Sequence, residues 1–294
     1  METSPRLGYT KRCVTEPSPT TITALLDRYD AVLLDAFGVL VDAEGVLPGT
    51  APLLAELSRR RMPFAIVTND ASRLPATCAD RFGAVGLAVE PARIVTSGSL
   101  LPGYFRARGL AGARTCVLGT ADSFAYVREG GGVPVELTPG MEVDVVAVCD
   151  DAGTPFLDGI ELALSAIVRA VEAGRRPHLV LPNPDLVYPK GGGELGFTAG
   201  AMALVIEAAL ERRFRAERLV FDRLGKPAPH LFQEAAARLG VPAPRLVMIG
   251  DQLETDIAGA RAAGIDAALL AGISRWDPAA PVAPTYLLAT IDPS

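Results

Sequence analysis

Cysteine is sparse in this chain, aromatic side chains make up only 6% of it, and histidine occurs twice. Each shortage closes off a class of chemistry. The four cysteines, Cys13, Cys78, Cys116 and Cys149, are far apart and form no CxxC pair, so reduced thiols in a cytoplasmic protein are expected rather than a zinc cluster or a disulfide scaffold. With only His178 and His230, and no G-x-S-x-G turn, a Ser-His-Asp arrangement lacks its parts. No basic block stands out, and a net charge of −6 with a pI near 5.1 opposes affinity for a phosphate backbone. A nucleic-acid partner is therefore not expected. No apolar run approaches the roughly 20 residues that cross a bilayer, and the start, METSPRLGYTKRC, carries no hydrophobic signal core. A membrane partner is not expected either.

What is present is apolar and loop-rich: 294 residues, 49% hydrophobic, with 29 Gly and 24 Pro. That length can bury one large core or two smaller ones. The stretches DAVLLDAFG (30–38), PFAIVTND (63–70), RLVMIGD (245–251) and DAALLA (266–271) are continuous apolar runs ending in polar residues. Such runs mark parallel strands covered on both faces. They alternate with helical patterns such as TAPLLAELSRRR (50–61), HLFQEAAARLG (230–240) and TDIAGARAAG (255–264), so the expected fold is α/β, a doubly wound parallel sheet. The same alternation continues between about 75 and 185, enough for a second, inserted α/β domain. The expected division is an N-terminal arm over 1–20, a core over 21–74 and 186–294, and a cap over 75–185. The glycines 191–193 read as a hinge or linker.

In doubly wound sheets the functional groups gather beyond the carboxyl ends of the strands. That rule singles out Asp35, the Thr68-Asn69-Asp70 trio, Asn183-Pro184-Asp185 and Gly250-Asp251, with Lys226 in a polar loop stiffened by Pro227 and Pro229. Asp35, Asp251 and Asp256 at one sheet mouth would repel one another unless a cation neutralised them, and oxygen-only ligands favour a hard ion such as Mg2+. Helix capping accounts for any one of these aspartates, but poorly for all three. Thr68 and Asn69 can donate hydrogen bonds to an anion, and Lys226 adds a point charge, the combination that holds phosphoryl groups.

Asp35 with Gly38-Val39-Leu40, then Thr68-Asn69, Gly225-Lys226-Pro227, and Gly250-Asp251 through Asp256 resemble the four ordered motifs of the haloacid dehalogenase (HAD) superfamily. The long insertion, the VLPNPD string at 180–185 and the TDIAGARAAG tail resemble its subclass IIA, and the likeness spans about residues 29–273. The resemblance implies a HAD-like core with a large α/β cap, and a hydrolase that removes phosphate from a small phosphorylated metabolite. It implies that Asp35 is the nucleophile, forming an aspartyl-phosphate, that Thr68, Asn69 and Lys226 hold the phosphoryl group, and that Lys226 neutralises charge in catalysis. It further implies Mg2+ held by Asp35, Asp251 and the main-chain carbonyl of Phe37, with Asp256 supporting that shell. Asn183, Pro184 and Asp185 are assigned to substrate contact from the cap, and the cap is where the resemblance puts a homodimer contact.

Phe37 departs from the pattern. Most phosphatases of the superfamily carry Asp there as general acid and base, a contribution of about 10²- to 10⁴-fold. Phe cannot move a proton. Nucleophile, metal and lysine would still stabilise the transition state, leaving a slow phosphatase, or one restricted to good leaving groups, with Asp42 and Glu44 as nearby proton candidates. Two alternatives stay open: a dehalogenase, since the Asp-Ala-aromatic-Gly pattern also resembles haloacid dehalogenases, and a phosphometabolite-binding module on a disarmed scaffold. The acidic fourth motif counts against the dehalogenase.

Overall fold

The computed structural model describes residues 16–272 and 274–293. Cys13 and most of the expected N-terminal arm lie outside the described residues. The end of that arm is not an arm: Ser18–Thr20 pairs in parallel with Tyr286–Leu288. An edge strand needs hydrogen bonds on one side only, so a short polar segment containing Pro19 can serve there.

In chain order the strands are β1 (Ser18–Thr20), β2 (Ala31–Asp35), β3 (Phe64–Thr68), β4 (Ile94–Thr96), β5 (Arg114–Leu118), β6 (Val133–Pro134), β7 (Val145–Val148), β8 (His178–Leu181), β9 (Val187–Gly191), β10 (Glu194–Phe197), β11 (Asp222–Arg223), β12 (Leu246–Gly250), β13 (Asp266–Leu270) and β14 (Tyr286–Leu288). The first sheet runs β1-β14-β13-β12-β2-β3-β4 with every neighbouring pair parallel. Its central strands feed two cores. Val32, Leu34, Phe64, Ile66, Val247 and Ile249 face one side, while Ala31, Leu33, Ala65, Val67, Leu246 and Met248 face the other. This two-sided burial is why the sequence shows apolar runs instead of alternation.

Helices α1 (Ile22–Arg28), α2 (Thr50–Arg60) and α3 (Pro75–Ala84) cover the first face through residues such as Leu25, Leu53, Leu57, Cys78 and Phe82. The chain then builds a second parallel sheet, β11-β8-β7-β5-β6. Helices α4 (Leu101–Ala107) and α5 (Ala121–Glu129) pack on one side of it, and α6 (Phe156–Glu172) and α7 (Ala199–Arg213) on the other. Finally α8 (His230–Leu239) and α9 (Ala258–Ala262) close the second face of the first sheet.

Sheet membership departs from the expected cap limits of 75 and 185. Strand β4 belongs to the first sheet, whereas α7 and β11 belong to the second. An amphipathic helix records which of its faces is apolar but not which sheet that face meets. The expected linker at 191–193 is instead the tight turn of the antiparallel hairpin β9–β10, with Gly191, Gly192 and Gly193 all at positive φ (90°, 61° and 83°), a conformation that glycine adopts without strain. Among the described residues, no helix is long and apolar enough to cross a membrane.

Candidate active site

Strands β2 and β12 are neighbours, with Leu34 opposite Ile249, so Asp35 and Asp251 emerge at adjoining carboxyl ends. Asp256 reaches the same point through a widened helical turn over Leu253–Ile257, in which Ile257 N–H donates to the Gln252 carbonyl five residues back at 3.2 Å. The sequence suggested an ordinary helix here; the wider turn, a form frequent at functional sites, turns the carboxylate inward. Its Oδ2 accepts the Gln252 N–H at 3.2 Å. One oxygen from each of Asp35, Asp251 and Asp256 lies within 4.8 Å of the others.

Lys226 enters from the loop before α8 and is 3% exposed. Its Nζ donates to Asp35 Oδ1 and to Asp256 Oδ1, both at 2.7 Å. Burial alone would lower the lysine's proton affinity, but Asp256 and Asp35 outweigh it and hold the ammonium charged. One ammonium does not balance three carboxylates. Burial, followed by the charge of Asp256, pushes Asp35 up to about 8 and Asp251 up to about 7. Both carboxylate oxygens of Asp251 are buried without a hydrogen-bond partner, a costly arrangement that a bound cation relieves. Gly38, at φ 91°, keeps this corner open: a Cβ there would lie 2.2 Å from Asp251 Oδ2. An all-oxygen donor set with orphaned buried oxygens fits a hard divalent ion.

Thr68 ends β3, on the other side of β2, and its Oγ1 accepts the Asp70 N–H at 3.3 Å. Asn69 departs from its expected part. Its Oδ1 accepts the Lys226 N–H at 2.7 Å, and its Nδ2 donates to the Lys226 carbonyl at 3.0 Å and to Asp185 Oδ1 at 2.9 Å. A side-chain amide has two donor hydrogens, and here both are spent on protein. Asn69 thus braces the lysine loop against the 183–185 loop, and its amide is not free to bind a phosphoryl group.

The 183–185 loop comes from the end of β8. Asn183 Oδ1 accepts the Asp185 N–H at 3.0 Å, and its Nδ2 donates to Thr198 Oγ1 at 3.2 Å. Burial raises the Asp185 carboxyl, while the Asn69 bond works the other way. Asp35, Phe37, Thr68, Asn69, Asn183, Asp185 and Lys226 all line one cleft of about 690 Å3 between the two sheets. Asp251, Asp256 and Pro184 do not line it; the first two are fully buried beneath its floor.

Asp70, singled out with Thr68 and Asn69 at the end of β3, also lines the cleft, and other lining residues escaped the sequence reading. Asp70 Oδ1 accepts the Ser72 N–H and hydroxyl, both at 2.8 Å, and its Oδ2 pairs with Arg73 at 2.9 Å. Asp150 and Asp151 reach the cleft from the end of β7, and burial pushes Asp150 up to about 6. The strand-end rule applied to DVVAVCD would have found that pair, but nothing local marks Arg73 or Arg81. The proton candidates proposed from the sequence do not reach the cleft. Asp42 Oδ1 is tied up in a turn with the Glu44 and Gly45 N–H groups, and Glu44 is exposed. His178 and His230 also lie away from it.

Known proteins resemble this chain in sequence and in fold. The description "Haloacid dehalogenase-like hydrolase" matches residues 32–132, and a second HAD-like hydrolase model matches 223–293. A dihydroxyacetone phosphatase of Corynebacterium glutamicum is 26% identical over 82% of this chain and 81% of its own. The solved structure of a possible sugar phosphatase from Cytophaga hutchinsonii superposes with a TM-score of 0.81 at 27% identity, covering 94% of this chain and 98% of that one. A glycerol phosphate phosphatase of Mycobacterium tuberculosis, solved in complex with magnesium, gives 0.77 at 27% identity, covering 91% and 76%. The two family models together match more than half of the chain, and on that match the chain is a member of the haloacid dehalogenase-like hydrolases, subclass IIA.

Proposed function

We propose that this hydrolase is a Mg2+-dependent phosphohydrolase that removes phosphate from a small phosphorylated metabolite, with Asp35 as nucleophile and the second sheet as a cap over the first. The observation that carries the reading is Lys226 bonded at 2.7 Å to both Asp35 and Asp256, beside an Asp251 whose two oxygens are unpartnered. Asp35 Oδ1 is held by Lys226 and by the Ala36 N–H at 2.7 Å, which leaves Oδ2 to attack phosphorus. That attack forms an aspartyl-phosphate as the bond to the leaving oxygen breaks, and water then hydrolyses the intermediate, so one hard displacement becomes two easier ones. Lys226 neutralises charge on the nucleophile and the transferring group. The Thr68 hydroxyl and the main-chain N–H of Asn69 hold the phosphoryl oxygens. Asp35, Asp251 and the Phe37 carbonyl would hold the metal, with Asp256 supporting them, and a bound Mg2+ supplies charge stabilisation at the phosphoryl oxygens. Magnesium in the mycobacterial relative supports that choice of ion.

The 183–185 loop contributes substrate contacts from the cap side. A homodimer contact fits the surface where the β9–β10 hairpin meets the cap, with Leu195 and Phe197 each 64% exposed and the Phe197 ring beside Phe156 of α6, and a cytoplasmic setting fits the free thiols of Cys78, Cys116 and Cys149. The test is phosphate release from a panel of activated and metabolite phosphates, with Mg2+ and with chelator. Release should require the metal and drop to background in Asp35→Asn. Activity that survives this substitution removes Asp35 as nucleophile. Thermal stabilisation by phosphometabolites with no product would instead support the binding-module alternative.

A further inference from the structure

A smaller cavity of about 220 Å3 adjoins the cleft, between the turn that follows β2 and helix α3. Ala36, Phe37, Val41, Cys78, Phe82 and Val85 supply its apolar lining and Asp42, Glu44, Asp70 and Arg81 its charged lining, and it shares Phe37, Ala43, Thr68, Asp70 and Arg81 with the cleft. An apolar cavity of about 150 Å3 takes up benzene, so this one has room for a single substituted ring. Of the acidic groups around it, Asp42 is held by two N–H groups and Asp70 by Ser72 and Arg73, while Glu44 lies exposed at the rim. Arg81 is exposed at the junction of the two cavities and, among the described residues, enters no ion pair. A cation without an ion-pair partner among the described residues, beside a ring-sized cavity with apolar lining, suits a ring that carries a carboxylate.

Phe37, at the position beside the nucleophile, cannot protonate a leaving oxygen, and three of the cleft's carboxylates already accept hydrogen bonds. Asn69 donates to Asp185, Ser72 and Arg73 donate to Asp70, and the Ala152 N–H donates to Asp150. Without a proton donor at the position Phe37 occupies, transfer is fastest when the leaving oxygen is stable as an anion. We infer that the substrate is an aryl phosphate whose single ring lies in this side cavity against Phe37, with a ring carboxylate on Arg81 and the phosphoryl group at Asp35 and Lys226. The inference rests on the phosphohydrolase reading and names its substrate class. In the first step the Asp35 Oδ2–P bond forms and the P–O(aryl) bond breaks, the electron pair leaving with the aryloxide, which takes its proton from bulk water. In the second, a water oxygen attacks phosphorus, Asp35 regains its carboxylate, and phosphate departs while the proton passes to solvent.

The experiment compares 3-carboxyphenyl phosphate, phenyl phosphate, acetyl phosphate and glycerol phosphate as substrates of the Mg2+-loaded protein. Acetyl phosphate has a good leaving group but no ring. Wild type should turn over the first three and leave glycerol phosphate slower by about 10²-fold or more. Val85 is 46% exposed, so Val85→Trp fills the cavity from a position that tolerates bulk. It should raise KM for both aryl phosphates about tenfold, equivalent to about 1.4 kcal/mol, and leave acetyl phosphate unchanged. Arg81→Gln should raise KM for the carboxyphenyl substrate alone. Glycerol phosphate turned over as fast as the aryl phosphates would overturn the inference. So would a Val85→Trp variant that handles all substrates as wild type does, or that slows acetyl phosphate equally. Phosphate released from none of the four would remove the phosphohydrolase reading itself, and the inference with it.

Discussion

Phe37 lies two residues after Asp35 and lines both the cleft and its side cavity. A carboxylate at this position would stand beside the leaving oxygen, so Phe37→Asp should raise turnover of glycerol phosphate by about 10²-fold, measured as kcat under saturating Mg2+. No gain would mean that protons already reach the leaving group by another route. The neighbouring carboxylates make a separate prediction. Asp35 is pushed up to about 8 and Asp251 to about 7, against about 3.9 for Asp in an unfolded chain. Between those limits the folded state holds protons that the unfolded state has released, so stability falls as pH rises from about 4 to about 8. A divalent ion needs both groups ionised and displaces those protons. In chelator, Tm should therefore be lower at pH 8 than at pH 5.5, and Mg2+ should raise it more at pH 8. A flat profile in chelator, with an equal Mg2+ effect at both pH values, would remove these two aspartates from the metal site.

Helices and strands differ in how openly the sequence declares them. The central strands β2, β3, β12 and β13 are legible because burial on both faces leaves unbroken apolar runs. Strand β14, only Tyr286–Leu288, and the hairpin β9–β10, whose exposed pattern gives no period, are not. Both form because a neighbouring strand or a glycine turn presents the partner, which is not local information. The turn after β2 lies between these cases. Gly38 is visible in the motif that follows Asp35, but its service to Asp251 is not, because those residues meet only across the sheet. Gly38→Ala places a Cβ 2.2 Å from Asp251 Oδ2 at a φ of 91°. The strain should cost about 1–3 kcal/mol in denaturant unfolding and weaken Mg2+ binding, as read by titration calorimetry. Unchanged Mg2+ affinity would show that this turn does not shape the metal corner.

At the scale of the whole molecule, Asn69 is the junction. It joins the end of β3 to the lysine loop and to the 183–185 loop through three hydrogen bonds of 2.7 to 3.0 Å. Asn69→Ala strands the buried partners of those bonds, at about 1–3 kcal/mol for each group left unsatisfied. Stability should drop in urea unfolding, and kcat should fall more than KM rises, because Lys226 loses its backbone brace. A variant with normal kcat would show that Lys226 is positioned by its carboxylates alone. The same junction explains why the cap limits could not be read from the chain: α7 and β11 follow the 183–185 loop in sequence, yet they pack with the second sheet.

The amino-acid sequence by itself determined the α/β class, the apolar strands of a parallel sheet, and the aspartates and lysine awaiting a common centre, since burial on two faces and polar strand ends leave local marks. Only the tertiary structure decided that Asn69 braces protein and not phosphate, that Arg73 and Arg81 share the cleft, and that a ring-sized cavity opens beside Phe37. Those outcomes depend on distances between residues far apart in the chain, and such distances are set by packing.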